Sequence, residues 1–220
     1  MRVTALRPDS RVPGCLVVEV DGTRFASLPV EVVQDLKLER GTELDQEQMD
    51  RLSYLADVEA SNRVAIRMLA SRPRAVNEVL RRLRDRGHNP SAAAEAVGRL
   101  EDKGLLDDEE FARHFARVRS ARGHGAPRLL TDLLARGVER RLAERAIDTV
   151  LDAEGVDANE QARGLARKRL GQLGDLEPDT LKRRVLSYLG RRGFRGYEVT
   201  ELVDELIREG ARGSGEGIGT

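Results

Sequence analysis

The stretch Leu129–Val150, LLTDLLARGVERRLAERAIDTV, decides the reading of the chain because its pattern occurs three times. Arg86-Gly87, Arg136-Gly137 and Arg192-Gly193 can be laid on one another, and the apolar positions then agree on both sides of the glycine. Seven and four residues before it stand Leu80 and Leu83, Leu130 and Leu133, and Leu186 and Leu189. Ten and thirteen residues after it stand Val97 and Leu100, Ile147 and Val150, and Val203 and Leu206. Spacings of three and four mark the buried stripe of a helix, and a glycine just past the last apolar residue supplies a left-handed C-terminal turn. Each unit reads as helix, tight glycine turn, helix. The glycines lie 50 and 56 residues apart, which leaves room for one more helix ahead of each pair. The expectation is an all-α fold of three tandem three-helix repeats forming an elongated curved array, with a small β-hairpin-containing extension at the N-terminus.

Working outward gives the boundaries. Residues 1–60 form an acidic extension, residues 61–106, 107–156 and 157–210 the three repeats, and residues 211–220, rich in glycine and without an apolar stripe, a disordered tail. In the extension, Cys15–Val20 and Thr23–Leu28 flank Asp21-Gly22, a strong hairpin signal. Pro29 opens a short helical segment through Val33 and Leu36, stopped near Gly41, and Gln46 to Leu55 begins a helical approach with Asp45 as its N-cap. The first repeat opens near Asn62, Pro73 closes its first helix, and Ser91 caps its third. Asp107 or Asp108 caps the helix carrying Phe111, Phe115 and Val118, whose apolar face marks the two phenylalanines as core, not as a base-stacking platform. Gly123-His124-Gly125-Ala126-Pro127 is a break, with Pro127 in the first turn of the next helix.

Composition narrows the function. The chain is 35% charged and 3% aromatic with no Trp, so its core is aliphatic and thin, which suits a helical array better than a compact globule. Cys15 is the single cysteine and can form no internal disulfide; with no signal segment and no long apolar run, the expected compartment is the cytoplasm, without membrane attachment. His88, His114 and His124 are not spaced as metal ligands, Asp107-Asp108 reads as a helix cap, and Gly123 and Gly125 do not follow a strand as a phosphate loop requires. The expectation is therefore a protein that is not an enzyme and holds no cofactor. Formal net charge is zero, but it divides as −5 over residues 1–60, +5 over 61–106, −1 over 107–156 and +1 over 157–220.

The ordered succession Met68-Leu69-Ala70-Ser71-Arg72, Glu78-Val79-Leu80, Gly104-Leu105-Leu106-Asp107-Asp108 with Phe111-Ala112, then Gly193-Phe194, resembles the regulatory protein RecX family from about Asn62 to Ile207. The resemblance implies a non-enzymatic modulator of the RecA recombinase, active in recombination, DNA repair and the SOS response. Such proteins lie in the groove of the RecA filament, bridge protomers and suppress ATP hydrolysis, strand exchange and filament extension; several bind DNA directly. The partners it implies are the RecA filament and, weakly, single- or double-stranded DNA, engaged by a monomer. The alternative reading is a stand-alone DNA-binding helical-repeat protein.

Arginine supplies 34 of the 38 basic residues, and guanidinium groups make bidentate contacts with carboxylate or phosphate. The candidate contacts for RecA or DNA are Arg72, Arg74, Arg81, Arg82 and Arg84 in the first repeat, Arg113, Arg117 and Arg128 in the second, and Lys182, Arg183, Arg184, Arg191, Arg192 and Arg195 in the third. Arg81, Arg82, Arg84 and Arg86 fall within six residues with Asp85 as the only local counter-charge; in the third repeat none lies between the cations. The competing reading is a solvated helix face with i,i+4 ion pairs.

Overall fold

The structure is a computed structural model that describes residues 1–174 and 176–215, with 211–215 described as backbone only. Among the described residues it holds three strands and ten helices and divides into two compact units, Met1–Asp107 and Asp108–Thr220.

In the first unit, β1 (Val3–Pro8), β2 (Cys15–Val20) and β3 (Thr23–Pro29) form an antiparallel meander in that order. Asp21 and Gly22 both take positive φ, +47° and +81°, the backbone of the tight hairpin turn that matches strand twist. The expected hairpin is present. The sequence reading missed β1, where only Val3 is fully buried, so no alternation announces a strand. Its place is fixed by distant backbone: Leu6 pairs with Val18, and Val3 N–H donates to the Thr42 carbonyl at 2.9 Å. Helix α1 (Val30–Asp35) follows, and Val18, Leu28, Val33, Leu38, Met49 and Leu52 close a small core.

Helix α2 (Gln46–Ser71) corrects the sequence reading, which began a helix at Gln46 and opened the repeat with another near Asn62. No glycine or proline interrupts these 26 residues, so the helix runs on for roughly 39 Å at 1.5 Å per residue. The boundary expected at residue 60 falls inside it. Its N-terminus is closed by a capping box: the Asp45 carboxylate accepts from Gln48 N–H at 2.8 Å while the Gln48 side chain accepts from Asp45 N–H at 2.9 Å. Met49 and Leu52 serve the sheet core, and Ala65 and Met68 serve the repeat core with Val79, Leu83, Val97 and Leu100.

Helices α3 (Val76–Arg84) and α4 (Pro90–Asp102) complete the first repeat. Asn89, not Ser91, caps α4: Pro90 occupies the first helical turn, where its missing N–H costs nothing, and the Asn89 side chain accepts from Ser91 and Ala92 N–H.

The second unit holds α5 (Asp108–Ser120), α6 (Ala126–Leu134) and α7 (Arg140–Ala153), then α8 (Ala158–Leu173), α9 (Pro178–Arg191) and α10 (Tyr197–Gly215). Helix α10 carries the backbone five residues past Gly210, where the tail was expected to begin; residues 216–220 of that tail lie outside the described residues.

The repeated glycine turn has one geometry throughout. Gly87, Gly137 and Gly193 have φ of +83°, +86° and +96°, and the next residue's N–H returns to the carbonyl of Leu83, Leu133 and Leu189 at 3.2, 3.2 and 3.1 Å. The phase of the preceding helix differs from the expected one. Val79, Leu129 and Val185, eight residues before the glycine, are fully buried with Leu83, Leu133 and Leu189, whereas Leu80, Leu130 and Leu186 are half-buried. An i,i+4 pair lies closer to one line along a helix than an i,i+3 pair, and the short middle helix needs only that line against its neighbours.

Repeats two and three are packed together by the Gly123–Pro127 break. A methyl group at Gly123 would meet the Leu165 side chain at 2.9 Å, one at Gly125 the Phe194 ring at 3.0 Å, and one at Gly193 the Arg128 backbone nitrogen at 2.8 Å. Gly125 N–H donates to the Arg192 carbonyl at 2.8 Å, and the Gln161 side-chain amide donates to the Ser120 carbonyl at 3.0 Å. Gly123 and Gly125 leave room for the Leu165 and Phe194 side chains of the third repeat, and Gly193 for the Arg128 backbone of the second.

Candidate functional site

The arginine before each repeat glycine folds back onto its own repeat. Arg86 Nη1 lies 3.5 Å from Met68 Sδ, the Arg136 guanidinium 4.6 Å from the Phe115 ring centre, and the Arg192 guanidinium 3.9 Å from the Tyr188 ring centre. A planar guanidinium stacks on a soft or aromatic surface while its far edge stays polar, which gives the repeated Arg-Gly a packing role. Phe111 is buried and stacks at 6.1 Å on half-buried Phe115, so the pair belongs to the helix packing, with Arg119 a further 5.4 Å cation contact.

In the first repeat, the candidates converge on a carboxylate. Glu78 is 5% exposed, and its Oε1 receives Arg72 Nη2 at 2.6 Å, Arg74 Nη1 at 2.5 Å and Arg82 Nε at 3.4 Å. Arg74 is itself 11% exposed and donates from Nε to the Met68 carbonyl at 3.1 Å, so it ties the α2 C-terminus to α3. Burial alone would raise the Glu78 pKa, but the hydrogen bonds and charges of Arg72 and Arg74 outweigh it and hold the carboxyl below its ordinary range. The counter-charge of this cluster is therefore Glu78; the 74/78 and 78/82 spacings were the i,i+4 signal that could have identified it. Arg81 and Arg84 are exposed.

A second carboxylate organises the same unit. Asp57 of α2 lies 2.6 Å from His88 Nδ1 and accepts from Asn89 N–H at 2.6 Å, holding the turn before α4. Nearby Arg99 bridges Glu59 at 2.8 Å and Glu95 at 2.6 Å.

The second-repeat candidates are engaged as ordinary surface pairs: Arg113 with Glu109 and Glu110, Arg117 with Glu154 at 3.6 Å, and Arg128 with Asp132 at 3.1 Å. Arg128 also lies under the Gly193 turn, which brings it to the neighbourhood of Arg192 and Arg195.

The third repeat is different. Lys182 pairs with Asp204 of α10 at 2.7 Å, Arg191 donates to the neutral Ser187 hydroxyl at 2.8 Å, and Arg195 donates to the Gly190 carbonyl at 3.3 Å. Arg183 and Arg184 are exposed. Arg169, absent from the sequence-derived candidates, places its guanidinium 5.5 Å from the same Tyr188 ring that Arg192 covers. No spacing rule links residues 169 and 192; only the packing of α8 on α9 brings them together.

Among the described residues, no three His, Cys, Asp or Glu side chains converge as metal ligands, and no helix is long and apolar enough to cross a membrane.

The chain matches the first three-helix domain of RecX over residues 63–100, the second over 107–147 and the third over 157–202. It is 34% identical over 146 residues to the "Regulatory protein RecX" of Amycolatopsis mediterranei (strain U-32), covering 66% of this chain and 82% of that protein. It is likewise 34% identical over 155 residues to the same-named protein of Halorhodospira halophila, covering 70% of this chain and 93% of the relative. A crystal structure of regulatory protein RecX shares the fold with a TM-score of 0.69 at 18% identity, over 93% of this chain and 98% of that one. Three matched domains in the same order, and a relative 34% identical over 82% of its length, place this chain in the RecX family of regulatory proteins.

Proposed function

We propose that this protein binds the RecA recombinase filament in its groove and inhibits RecA ATP hydrolysis, strand exchange and filament extension. It acts in the cytoplasm as a monomer, without catalysis of its own and without a cofactor, in recombination, DNA repair and the SOS response. The observation that carries the reading is the match to all three RecX domains in order from residue 63 to residue 202. The exposed cations of α3 and α9 support it, since guanidinium groups on a helix surface suit the carboxylates of a protein filament and the phosphates of the DNA within it.

The test is RecA-catalysed ATP hydrolysis on single-stranded DNA, titrated with this protein. The expected result is inhibition that persists at salt concentrations where its binding to bare DNA is lost; binding to bare DNA is weak because net charge is zero and counterion release erodes it. Inhibition that fades in step with DNA binding, or is overcome by excess bare DNA, would instead favour the stand-alone DNA binder. One feature weighs against that alternative: in α3 the cations Arg81, Arg82 and Arg84 fall in the last turn, whereas a groove-reading helix presents its N-terminal residues to the bases.

A further inference from the structure

Two guanidinium groups share the Tyr188 ring, with Arg192 Cζ at 3.9 Å and Arg169 Cζ at 5.5 Å from its centre. The Nε atoms of both are buried and have no hydrogen-bond partner among the described residues. Arg169 Nη1 is bonded to a neutral group, Gln172 Oε1 at 3.2 Å, and neither arginine pairs with a carboxylate among the described residues. Two like charges partly withdrawn from water around one ring repel each other, and the negative face of the ring offsets only part of that cost. An anion between or beside them would offset the rest. In the second repeat, where Arg119 and Arg136 share the Phe115 ring, Arg136 donates to the Asp132 carbonyl.

We propose that the third repeat carries a binding site for the phosphodiester backbone of nucleic acid, formed by Arg169 and Arg192 on the Tyr188 ring and continued along α9 by Arg184. Arg184, Tyr188 and Arg192 recur every fourth residue, so Arg184 and Arg192 stand roughly 12 Å apart along the helix at 1.5 Å per residue. A row of cations along one helix suits a chain with regularly spaced charges better than an isolated carboxylate. Contacts of this kind hold the backbone and read no sequence. The proposal goes beyond the recombinase contact and does not rest on it.

The experiment is fluorescence anisotropy of a labelled oligothymidylate of about 30 nucleotides with the full chain at low salt, without recombinase. Arg169→Gln/Arg192→Gln should raise the dissociation constant about tenfold or more and make the log–log salt dependence shallower by about 1.4, at about 0.7 for each lost phosphate contact. Arg67→Gln/Lys103→Gln, which removes two exposed cations from the first repeat, should change the constant by less than about threefold. Circular dichroism checks the fold; should the stacked pair prove necessary for folding, Arg184→Gln at an exposed position should weaken binding about threefold and lower the slope by about 0.7. A duplex of the same length should depend on the same arginines. Affinity and slope unchanged in the third-repeat variants, or an equal loss in the first-repeat variant, overturn the site. Competition by polyglutamate as strong as that by the oligonucleotide at equal charge also overturns it, in favour of an acidic polypeptide. Because ATP hydrolysis by the recombinase is measured separately, loss of this site leaves the filament reading standing.

Discussion

The middle helices of the first and third repeats look alike in sequence, each a run of cations ending in Arg-Gly, but they use their charge differently. Nine residues before the glycine the first repeat has Glu78 and the third has Arg184. In the first, that buried carboxylate accepts from Arg72, Arg74 and Arg82, three of the five candidate cations, and Arg74 becomes a strut between α2 and α3. In the third, the same place carries another cation, and Lys182 alone of the α9 cations has a carboxylate partner among the described residues. Charge counted along a helix therefore overstates the available surface of the first repeat and understates that of the third, which gains Arg169 from the neighbouring helix.

The comparison predicts a graded set of effects. The largest should not distinguish the repeats: Leu83→Ala and Leu189→Ala each remove a fully buried side chain at the same repeat position and should each cost about 2–5 kcal/mol in denaturant unfolding, as should Leu133→Ala between them. A loss of only a few tenths at any of the three would show that its helix is packed in another phase.

Glu78→Ala should cost about 3 kcal/mol, because it leaves Arg74 buried without its partner, while Arg184→Ala at the equivalent place should stay within about 0.5 kcal/mol. The same carboxylate gives the first repeat a pH signature. Its folded pKa lies below the unfolded value, so its stabilisation is present in full above the ordinary carboxylate range and is lost as pH falls through the depressed folded pKa. Urea unfolding followed from neutral pH downward should show an acid-dependent loss in the wild type that is smaller in Glu78→Gln; an equal loss in both would place the dependence elsewhere.

Smaller, but more discriminating, is the glycine pair. Gly87→Ala meets open space and only the left-handed backbone strain, about 1 kcal/mol. Gly193→Ala adds a 2.8 Å approach to the Arg128 backbone, which cannot rotate aside, and should cost more than Gly87→Ala by at least about 1 kcal/mol. Equal melting temperatures for the two variants would mean that the second and third repeats do not pack as described. The smallest effect is at the exposed cations: charge reversal at Arg183 and Arg184 should leave the melting temperature nearly unchanged while weakening inhibition of the recombinase by more than the same change at Arg82, part of whose charge Glu78 already neutralises.

Much of this was legible in the residues alone. The three Arg-Gly turns, the stripes at ten and thirteen residues beyond them, the Asp21-Gly22 hairpin and the Asp45 cap are local signals, because backbone sign preference, helical period and capping act within a few residues. Family resemblance came from the same short motifs in order. What the local rules could not supply was decided by packing. Strand β1 has too few buried positions to announce itself and exists because Val18 and the Thr42 backbone complete it. The continuity of α2 follows from two cores that share one helix, and the burial of Leu129 in place of Leu130 from the line of contact chosen by its neighbours. The Glu78 and Tyr188 clusters show the same division. Sequence placed the cations on their helices, but whether a cation is neutralised depends on which side chains lie across the helix interface, and that distance is set only once the helices are packed.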